Sequence, residues 1–529
     1  MKPKKIPALT AIMLAIFIFS GCPAQRHRGG VQLNSENLTP VGTLPVVYKT
    51  ESFTLLVDDF GDPDTKLMMP IFEAATNVRV DVAAFPWAAA VERMNILLAT
   101  GQYPDAIGGW LMNPELVVRL ASDGILIPLQ DFIDEHTVYI RYKLNMPGVR
   151  KAMTHPSGNI YTVPYLVEEP EVLFLPWINT AWLERVGLPM PTTTEEFRIV
   201  LRAFRDNIPP IGGQAIIPFS WQPHQIGSLG ALAGWFGLNA NGLFAMIDGR
   251  LEITITRHEY RNFLRFFSKL FAEGLIDPEL FTQNQQTWMA RGRQGLFGAS
   301  FAYGPDDFAP RISDDPSANM WEFEALPVLR APGVERPVFI RGTPGFTLFR
   351  SQFGITSRAT NPITILRWLD HIFGEQQSLE TRLGPIGYRF EQLEDGTFRG
   401  IDTSGWSPEE LERFNNSWFW SMPIFLRIGE RVAPPAGMPP EYMIKDTADN
   451  LYRPYLDEMI PTFWMDPATG RRVAALQHPI DLFHVMRRAE WITGQRNIDA
   501  DWDTFVAEME RLGIQELLQI MRGLVGCCD

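Results

Sequence analysis

The chain has 529 residues with a formal net charge of −14, and 46% of its residues are hydrophobic. This length exceeds what one hydrophobic core supports, so it predicts two large lobes or several domains. The apolar content excludes a disordered chain, and the negative charge argues against a nucleic-acid partner, because phosphate binding needs a basic surface.

The N-terminus has the pattern of an export signal. Lys2, Lys4 and Lys5 precede an apolar run over residues 8–19, and Cys22 follows shortly after. The run is shorter than the ~20 residues that span a bilayer, so it predicts a signal peptide rather than a membrane helix. The string Phe-Ser-Gly-Cys that ends at Cys22 resembles a lipobox, which implies lipid on this cysteine. A plain secretory signal cleaved nearby is the alternative.

We therefore predict a lipoprotein signal peptide over residues 1–22 and a flexible polar tether over residues 23–47. The expected location is the extracytoplasmic side of the membrane, with the lipid as the anchor. Cys527 and Cys528 are the remaining cysteines, and adjacent cysteines cannot join distant segments. The sequence therefore predicts no disulfide framework.

The folded part begins with a strand, a helix and a strand. Residues 53–57 are apolar, residues 67–75 have helical spacing, and residues 78–82 alternate with period two. This order predicts the start of a parallel sheet. A helix that ends at Gly101 follows, and the next short strand leads to Trp110.

Residues 177–197 carry the most specific pattern in the chain. They predict a helix that ends at Gly187, a proline-rich turn, and a second helix capped by Thr193, with Glu196 completing a capping box. The pattern N-x-x-W-L-x-x-x-G-L-x-x-P-T-T-x-x-E-F runs from Asn179 to Phe197. It resembles the signature of the extracellular solute-binding proteins, family 1, of ABC importers, the group to which maltose-binding proteins belong.

Weaker motifs of the same family follow one another in the expected order. They are G-x-x-P-D at Gly101, G-x-x-Y-x-x-P at Gly158, G-L-I-D-P at Gly274 and I-T-G before residue 495. Another helix is predicted after Asn361, which is placed to cap it, with Pro362 in the first turn. The resemblance extends from about residue 48 to the C-terminus.

This resemblance implies an α/β fold of the periplasmic-binding-protein type II class, in which two lobes joined by hinge strands enclose a ligand cleft. We expect residues 48–165 and 345–400 to form the first lobe. Residues 166–344 and 401–529 are expected to form the second lobe. The implied function is the solute-binding component of an ABC importer, a monomer that delivers its solute to permease subunits with a separate ATPase.

The candidate ligand contacts are four aromatic residues and one acid. Trp110 and Tyr303 stand where the resemblance places rings that stack on a sugar, and Glu168 stands at the position of a sugar-contacting carboxylate. Trp221 lies in a loop expected to face the cleft, and Trp87 is a further aromatic candidate. Glu168 could equally be a solvated carboxylate at the lobe junction. Because sugars stack on indole rings and bond carboxylates, the set favours an oligosaccharide. Cation–π contacts would also allow a polyamine.

The sequence contains no G-x-S-x-G, H-E-x-x-H or phosphate-binding loop motif. We therefore expect neither enzymatic activity nor a cofactor or bound metal. The alternative from another class is a surface-anchored glycoside hydrolase, which needs two carboxylates roughly 5–9.5 Å apart across one bond. Glu168 and Glu169 are neighbours, and on a strand they would point to opposite faces.

Overall fold

The computed structural model has the mixed α/β architecture expected from the alternating strand and helix patterns. It describes residues 35–58, 66–167, 174–310, 312, 321–339, 347–394, 396, 398–403, 405–415, 417, 422–426, 432–433, 448, 450–458, 460 and 463–526. Cys22, Glu168, Glu169, Cys527 and Cys528 lie outside these residues, as do residues 23–34 of the predicted tether.

The strands are given in chain order. They are β1 Glu51–Asp58, β2 Val78–Phe85, β3 Ala106–Gly108, β4 Thr162–Val167, β5 Leu175–Asn179, β6 Ile217–Trp221, β7 Phe244–Ile247, β8 Arg250–Ile253, β9 Phe297–Ala302, β10 Phe323–Ala325, β11 Thr347–Ile355, β12 Phe390–Gln392, β13 Phe398–Gly400, β14 Phe425–Leu426 and β15 Val432–Ala433.

The α-helices cover both faces of the sheets. They are α1 Met68–Thr76, α2 Trp87–Thr100, α3 Pro114–Ser122, α4 Gln130–His136, α5 Tyr139–Leu144, α6 Val149–Met153, α7 Thr180–Val186, α8 Thr194–Asn207, α9 His258–Ala272, α10 Gln285–Arg293, α11 Pro362–Ile372, α12 Glu375–Leu383, α13 Pro408–Asn415, α14 Pro467–Ile492, α15 Ile498–Arg511 and α16 Ile514–Val525. None of the helices in the described ranges is both long enough and apolar enough to cross a membrane.

The first lobe is built on a six-stranded sheet in the order β14-β4-β11-β3-β1-β2. The predicted strand, helix and strand at its start form β1, α1 and β2, and β1 pairs in parallel with both β2 and β3. Side chains alternate along β1, so Phe53, Leu55 and Val57 face one hydrophobic core while Leu56 faces another. Both faces of this sheet are therefore buried, as parallel sheets require.

The second lobe is built on a four-stranded sheet in the order β10-β5-β9-β6. Its core is the largest among the described residues and contains eight buried tryptophans. These are Trp177, Trp182, Trp221, Trp235, Trp288, Trp321, Trp491 and Trp502. The tryptophan content is thus explained mainly by packing in this lobe.

The local predictions around residues 177–197 are confirmed. Helix α7 ends at Gly187, which adopts the left-handed conformation at φ 68°. The Thr193 hydroxyl accepts from the Glu196 amide, and the Glu196 carboxylate accepts from the Thr193 amide. Asn361 precedes α11 as predicted, but it makes no side-chain cap. Its Nδ2 instead donates to Glu51 across 2.9 Å.

The chain crosses between the two lobes more often than the predicted boundaries imply. Strand β14, in the range assigned to the second lobe, pairs with β4 of the first sheet. Later, Trp464 packs against a first-lobe core, whereas the adjacent Met465 packs against the second-lobe core. The domain boundaries given above remain a proposal.

Candidate functional site

The carboxyl edges of the two sheets are connected by a short segment. Strand β4 leaves the first sheet at Val167, and β5 enters the second sheet at Leu175. Leu175 pairs with Ala302, so β5 begins beside the carboxyl end of β9. Eight Cα steps join these points, which limits their separation to ~29 Å. Ligands of open α/β sheets bind at such carboxyl edges, so the region between them is the candidate site.

Asp58 organises the edge of the first sheet. It is the last residue of β1, it is 4% exposed, and its Oδ1 accepts the backbone N–H of Trp110 across 2.6 Å. Gly109 lies between β3 and Trp110 with φ +80°, and a Cβ there would lie 2.1 Å from the same oxygen. Glycine is therefore required at this position, and the turn fixes the position of the Trp110 backbone.

Trp110 belongs to a group of three aromatic rings at this edge. Its ring centroid lies 5.0 Å from that of Phe349 in an edge-to-face arrangement, and 5.8 Å from that of Tyr165. Trp110 and Phe349 are half-buried, and Tyr165 is buried. The contacts with Phe349 and Tyr165 hold the Trp110 ring at a fixed angle, and part of the indole stays accessible. This arrangement suits stacking on the apolar face of a sugar.

At the edge of the second sheet, Trp221 is a core residue. It is 1% exposed, and its ring lies flat on Phe301 with centroids 3.8 Å apart and an interplanar angle of 7°. Tyr303 follows β9 and is half-buried, and it meets the half-buried Phe174 at 6.1 Å between centroids. In this conformation Tyr303 is therefore the more accessible of the two predicted contacts on this lobe.

The other two predicted contacts cannot be placed in the same way. Trp87 begins helix α2, directly after β2 at the carboxyl edge of the first sheet, but its side chain lies outside the described residues. Glu168 lies outside them as well. The assignment of Trp87, Trp110, Glu168, Trp221 and Tyr303 to the site stays a prediction.

Two acceptor groups near Tyr303 escaped the sequence reasoning. Asp307 receives hydrogen bonds from the backbone N–H groups of Tyr303 and Gly304, while its Oδ2 is buried without a partner among the described residues. Burial, reinforced by the neighbouring Asp306 charge, raises the pKa of Asp307 to about 6. Gln222, directly after β6, likewise has a buried Oε1 without such a partner. No motif marks either residue.

The sequence motifs also do not mark Arg350, a partly buried cation on the first lobe. The Arg350 guanidinium lies 4.3 Å from the ring centroid of Trp464, and its Nη1 is buried without a hydrogen-bond partner among the described residues. Burial lowers the pKa of Arg350 to about 10. Trp464 itself donates from Nε1 to the Ala152 carbonyl across 3.0 Å, which fixes the ring on which the guanidinium rests.

A cavity of about 370 Å³ lies elsewhere, at the amino edge of the first sheet. Its carboxylates are already engaged. Glu51 accepts from Asn361 and Thr364, and Asp105 accepts from Thr54. The cavity is therefore a weaker candidate for the ligand site than the carboxyl edges. Across the described part of the chain, no group of three or more histidine, cysteine or acidic side chains could hold a metal ion.

Comparison with known proteins points to one family. The sequence profile described as bacterial extracellular solute-binding protein matches residues 49–320. The chain is 26% identical over 481 residues to the fructooligosaccharide ABC transporter substrate-binding protein FusA of Streptococcus pneumoniae, covering 87% of this chain and 86% of that protein. It is 24% identical to the lipoprotein LipO of Bacillus subtilis, covering 67% of this chain and 70% of that protein.

Solved structures agree with this result. FusA in complex with kestose superposes with a TM-score of 0.74 at 25% identity, over 90% of this chain and 99% of FusA. A solute-binding protein of Bifidobacterium longum infantis, described as binding human milk oligosaccharides (HMO), superposes with a TM-score of 0.73 at 20% identity, over 90% of this chain and 98% of that one. The two-lobed fold is that of these proteins.

Proposed function

Because the chain belongs to the bacterial extracellular solute-binding protein family, we propose that it captures an oligosaccharide outside the cytoplasm for an ABC importer. The observation that carries this proposal is the pair of aromatic groups at the carboxyl edges of the two sheets. Trp110 with Phe349 on one lobe and Tyr303 with Phe174 on the other are all half-buried rings. FusA, which matches most of this chain, is named for fructooligosaccharide, and this supports a saccharide as the solute.

Binding on both lobes would also explain how occupancy is reported to the importer. A solute that touches both edges favours a closed arrangement of the lobes by its differential affinity alone. Permease subunits with a separate ATPase could then recognise the closed form. We propose that the protein acts as a monomer and releases its solute without chemical change.

The test is a thermal-shift screen of the purified protein against neutral oligosaccharides of several linkages, followed by calorimetry. A bound ligand stabilises by mass action, by ~2.7 kcal/mol when its concentration is 100 times the dissociation constant. Spermidine in the same screen tests the polyamine alternative. New reducing ends that accumulate catalytically during incubation would establish the hydrolase alternative instead.

We further propose that lipid on Cys22 anchors the protein to the membrane. The similarity to a lipoprotein of Bacillus subtilis supports an extracytoplasmic location, and several acyl chains on one residue give stable anchoring. The variant Cys22→Ser should appear in the soluble fraction of cells that express it. Membrane association equal to that of the unchanged protein would exclude this anchor.

A further inference from the structure

Strand β11 is interrupted by a bulge where it pairs with β4. Phe349 lies opposite Tyr165 and Phe353 lies opposite Val163, so four steps along β11 match only two along β4. The two extra residues fall in the segment Arg350-Ser351-Gln352. Bulges redirect side chains and are frequent beside functional sites. The bulge follows Phe349, a member of the aromatic group that includes Trp110.

Each residue of the bulge carries a buried polar atom without a partner among the described residues. The atoms are Arg350 Nη1, Ser351 Oγ and Gln352 Nε2. Ser351 is 6% exposed and Gln352 is 2% exposed. The large majority of buried side-chain polar atoms in proteins have a hydrogen-bond partner. Three such atoms on consecutive residues are therefore unusual, and a bound ligand is one group that could supply their partner.

The chemistry of these atoms defines that group. The guanidinium and the Gln352 amide nitrogen can only donate hydrogen bonds, so the partner must accept them. Arg350 keeps its positive charge even where burial lowers its pKa, and burial is the only cause acting on that pKa. A buried charge is normally compensated by an opposite one. The planar guanidinium fork matches the two oxygens of a carboxylate.

The position of the bulge connects it to the proposed solute site. Arg350 rests on the indole of Trp464, and the next residue, Met465, belongs to the core of the other lobe. His155 lies at the edge of the same indole with centroids 5.7 Å apart, and its Nε2 is also buried without a partner among the described residues. Within the described residues, Arg350 and His155 therefore lie beside a segment of the chain that passes from the core of one lobe to the core of the other.

We propose that the segment Arg350-Ser351-Gln352 binds the carboxylate of an acidic oligosaccharide, so that the preferred solutes contain uronic acid residues. This inference rests on the proposed function, since it names the class of saccharide that the same cleft takes. The aromatic groups would hold the sugar rings, and the bulge would select the acidic substituent.

The experiment compares trigalacturonic acid with its carboxyl-reduced neutral counterpart by calorimetry, because the pair differs only in the carboxylates. The unchanged protein should bind the acid more tightly. Arg350→Gln should weaken binding of the acid by about 30-fold or more, since one partner of a buried charge pair is removed. Binding of the neutral trisaccharide should change by less than about threefold, and the melting temperature without ligand should not fall.

The matched control is Arg358→Gln. Arg358 also lies over an aromatic ring of the first lobe, that of Tyr103, but it is exposed and bonds the Gly101 carbonyl far from the bulge. This variant should leave both affinities unchanged. Ser351→Ala gives a second, milder test, because it removes one hydroxyl and should weaken only the acid.

Any of the following results would overturn the inference. Equal affinity of the unchanged protein for the acid and the neutral sugar would exclude a carboxylate site. If Arg350→Gln lowers the affinity for both ligands equally, the arginine supports the fold of the cleft. If inorganic phosphate alone raises the melting temperature as much as trigalacturonic acid does, the segment is a general anion site. If neutral oligosaccharides bind and uronic acids do not, only this inference fails; if no saccharide binds, the proposed function fails with it.

Discussion

The carboxyl edges of the two sheets carry similar residues in different states. On the second lobe, Trp221 lies flat against Phe301 and is fully covered. On the first lobe, Trp110 meets Phe349 edge to face and stays half-buried. The indole of Trp221 is therefore fully packed without a ligand, whereas part of the indole of Trp110 stays available.

The unpartnered polar atoms at the two edges differ in kind as well. The first lobe presents donors, from Arg350 and Gln352, and the second lobe presents acceptors, from Gln222 and Asp307. A sugar hydroxyl can accept from one lobe while it donates to the other. A saccharide between the edges would therefore satisfy both sets, which gives a physical reason for the lobes to close on it.

The largest expected effect tests whether Trp221 is structural. Trp221→Ala removes a fully buried indole and should lower the free energy of unfolding by about 3–5 kcal/mol, as large-to-small core changes do. Chemical denaturation of the protein without ligand measures this, and Trp221→Phe is the control because it keeps an aromatic ring on Phe301. If Trp221→Ala keeps its stability but loses much of its oligosaccharide affinity, Trp221 contacts the ligand and is not a structural residue.

The next effect concerns the other tryptophan. Trp110→Ala should weaken oligosaccharide binding by about 1–3 kcal/mol through lost stacking and apolar contact. Calorimetry with the best ligand from the neutral panel measures the change, and circular dichroism verifies that the variant is folded. Trp110→Phe is the matched control, since it keeps an aromatic ring at this position. An affinity equal to that of the unchanged protein would remove Trp110 from the site.

Asp307 should give a smaller effect that depends on pH. Its pKa in the folded protein is about 6, above the value of 3.8 for the free side chain. The folded protein therefore holds the proton more strongly, and stability declines as pH rises between about 4 and 6. Across this range the free energy of unfolding of the unchanged protein should fall by about 1–2 kcal/mol more than that of Asp307→Asn, after allowance for partial exposure.

Melting temperatures of both proteins at pH 4.5 and pH 7, without ligand, measure this difference. Asp306→Asn should reduce the pH dependence only in part, because burial is the larger cause of the raised pKa of Asp307 and the Asp306 charge the smaller one. Parallel pH profiles of Asp307→Asn and the unchanged protein would contradict the raised pKa. The acceptor would then have to be regarded as an ordinary solvated carboxylate.

The sequence was sufficient where a structure depends on neighbours in the chain. The capping box of Thr193 and Glu196 and the left-handed Gly187 are both set within a few residues. The sequence was insufficient where distant residues decide. Asn361 precedes α11 but makes no side-chain cap, and its Nδ2 bonds Glu51 from a distant part of the chain. Trp221 is a core residue because Phe301 stacks on it. The bulge at Arg350 depends on register with β4 and has no local pattern.

The smallest effect calibrates the others. Thr193 caps α8 in the second lobe and is not among the proposed ligand contacts, and its hydroxyl accepts the Glu196 amide across 3.2 Å. Thr193→Ala should lower the free energy of unfolding by about 1 kcal/mol, because the first turn loses its cap, while oligosaccharide affinity stays unchanged. Denaturation and calorimetry on one preparation measure both, and Thr193→Ser should retain the stability. If Thr193→Ala weakens binding as much as Trp110→Ala does, general destabilisation of a lobe is enough to lower affinity, and the contrast between the two edges would no longer identify the contacts.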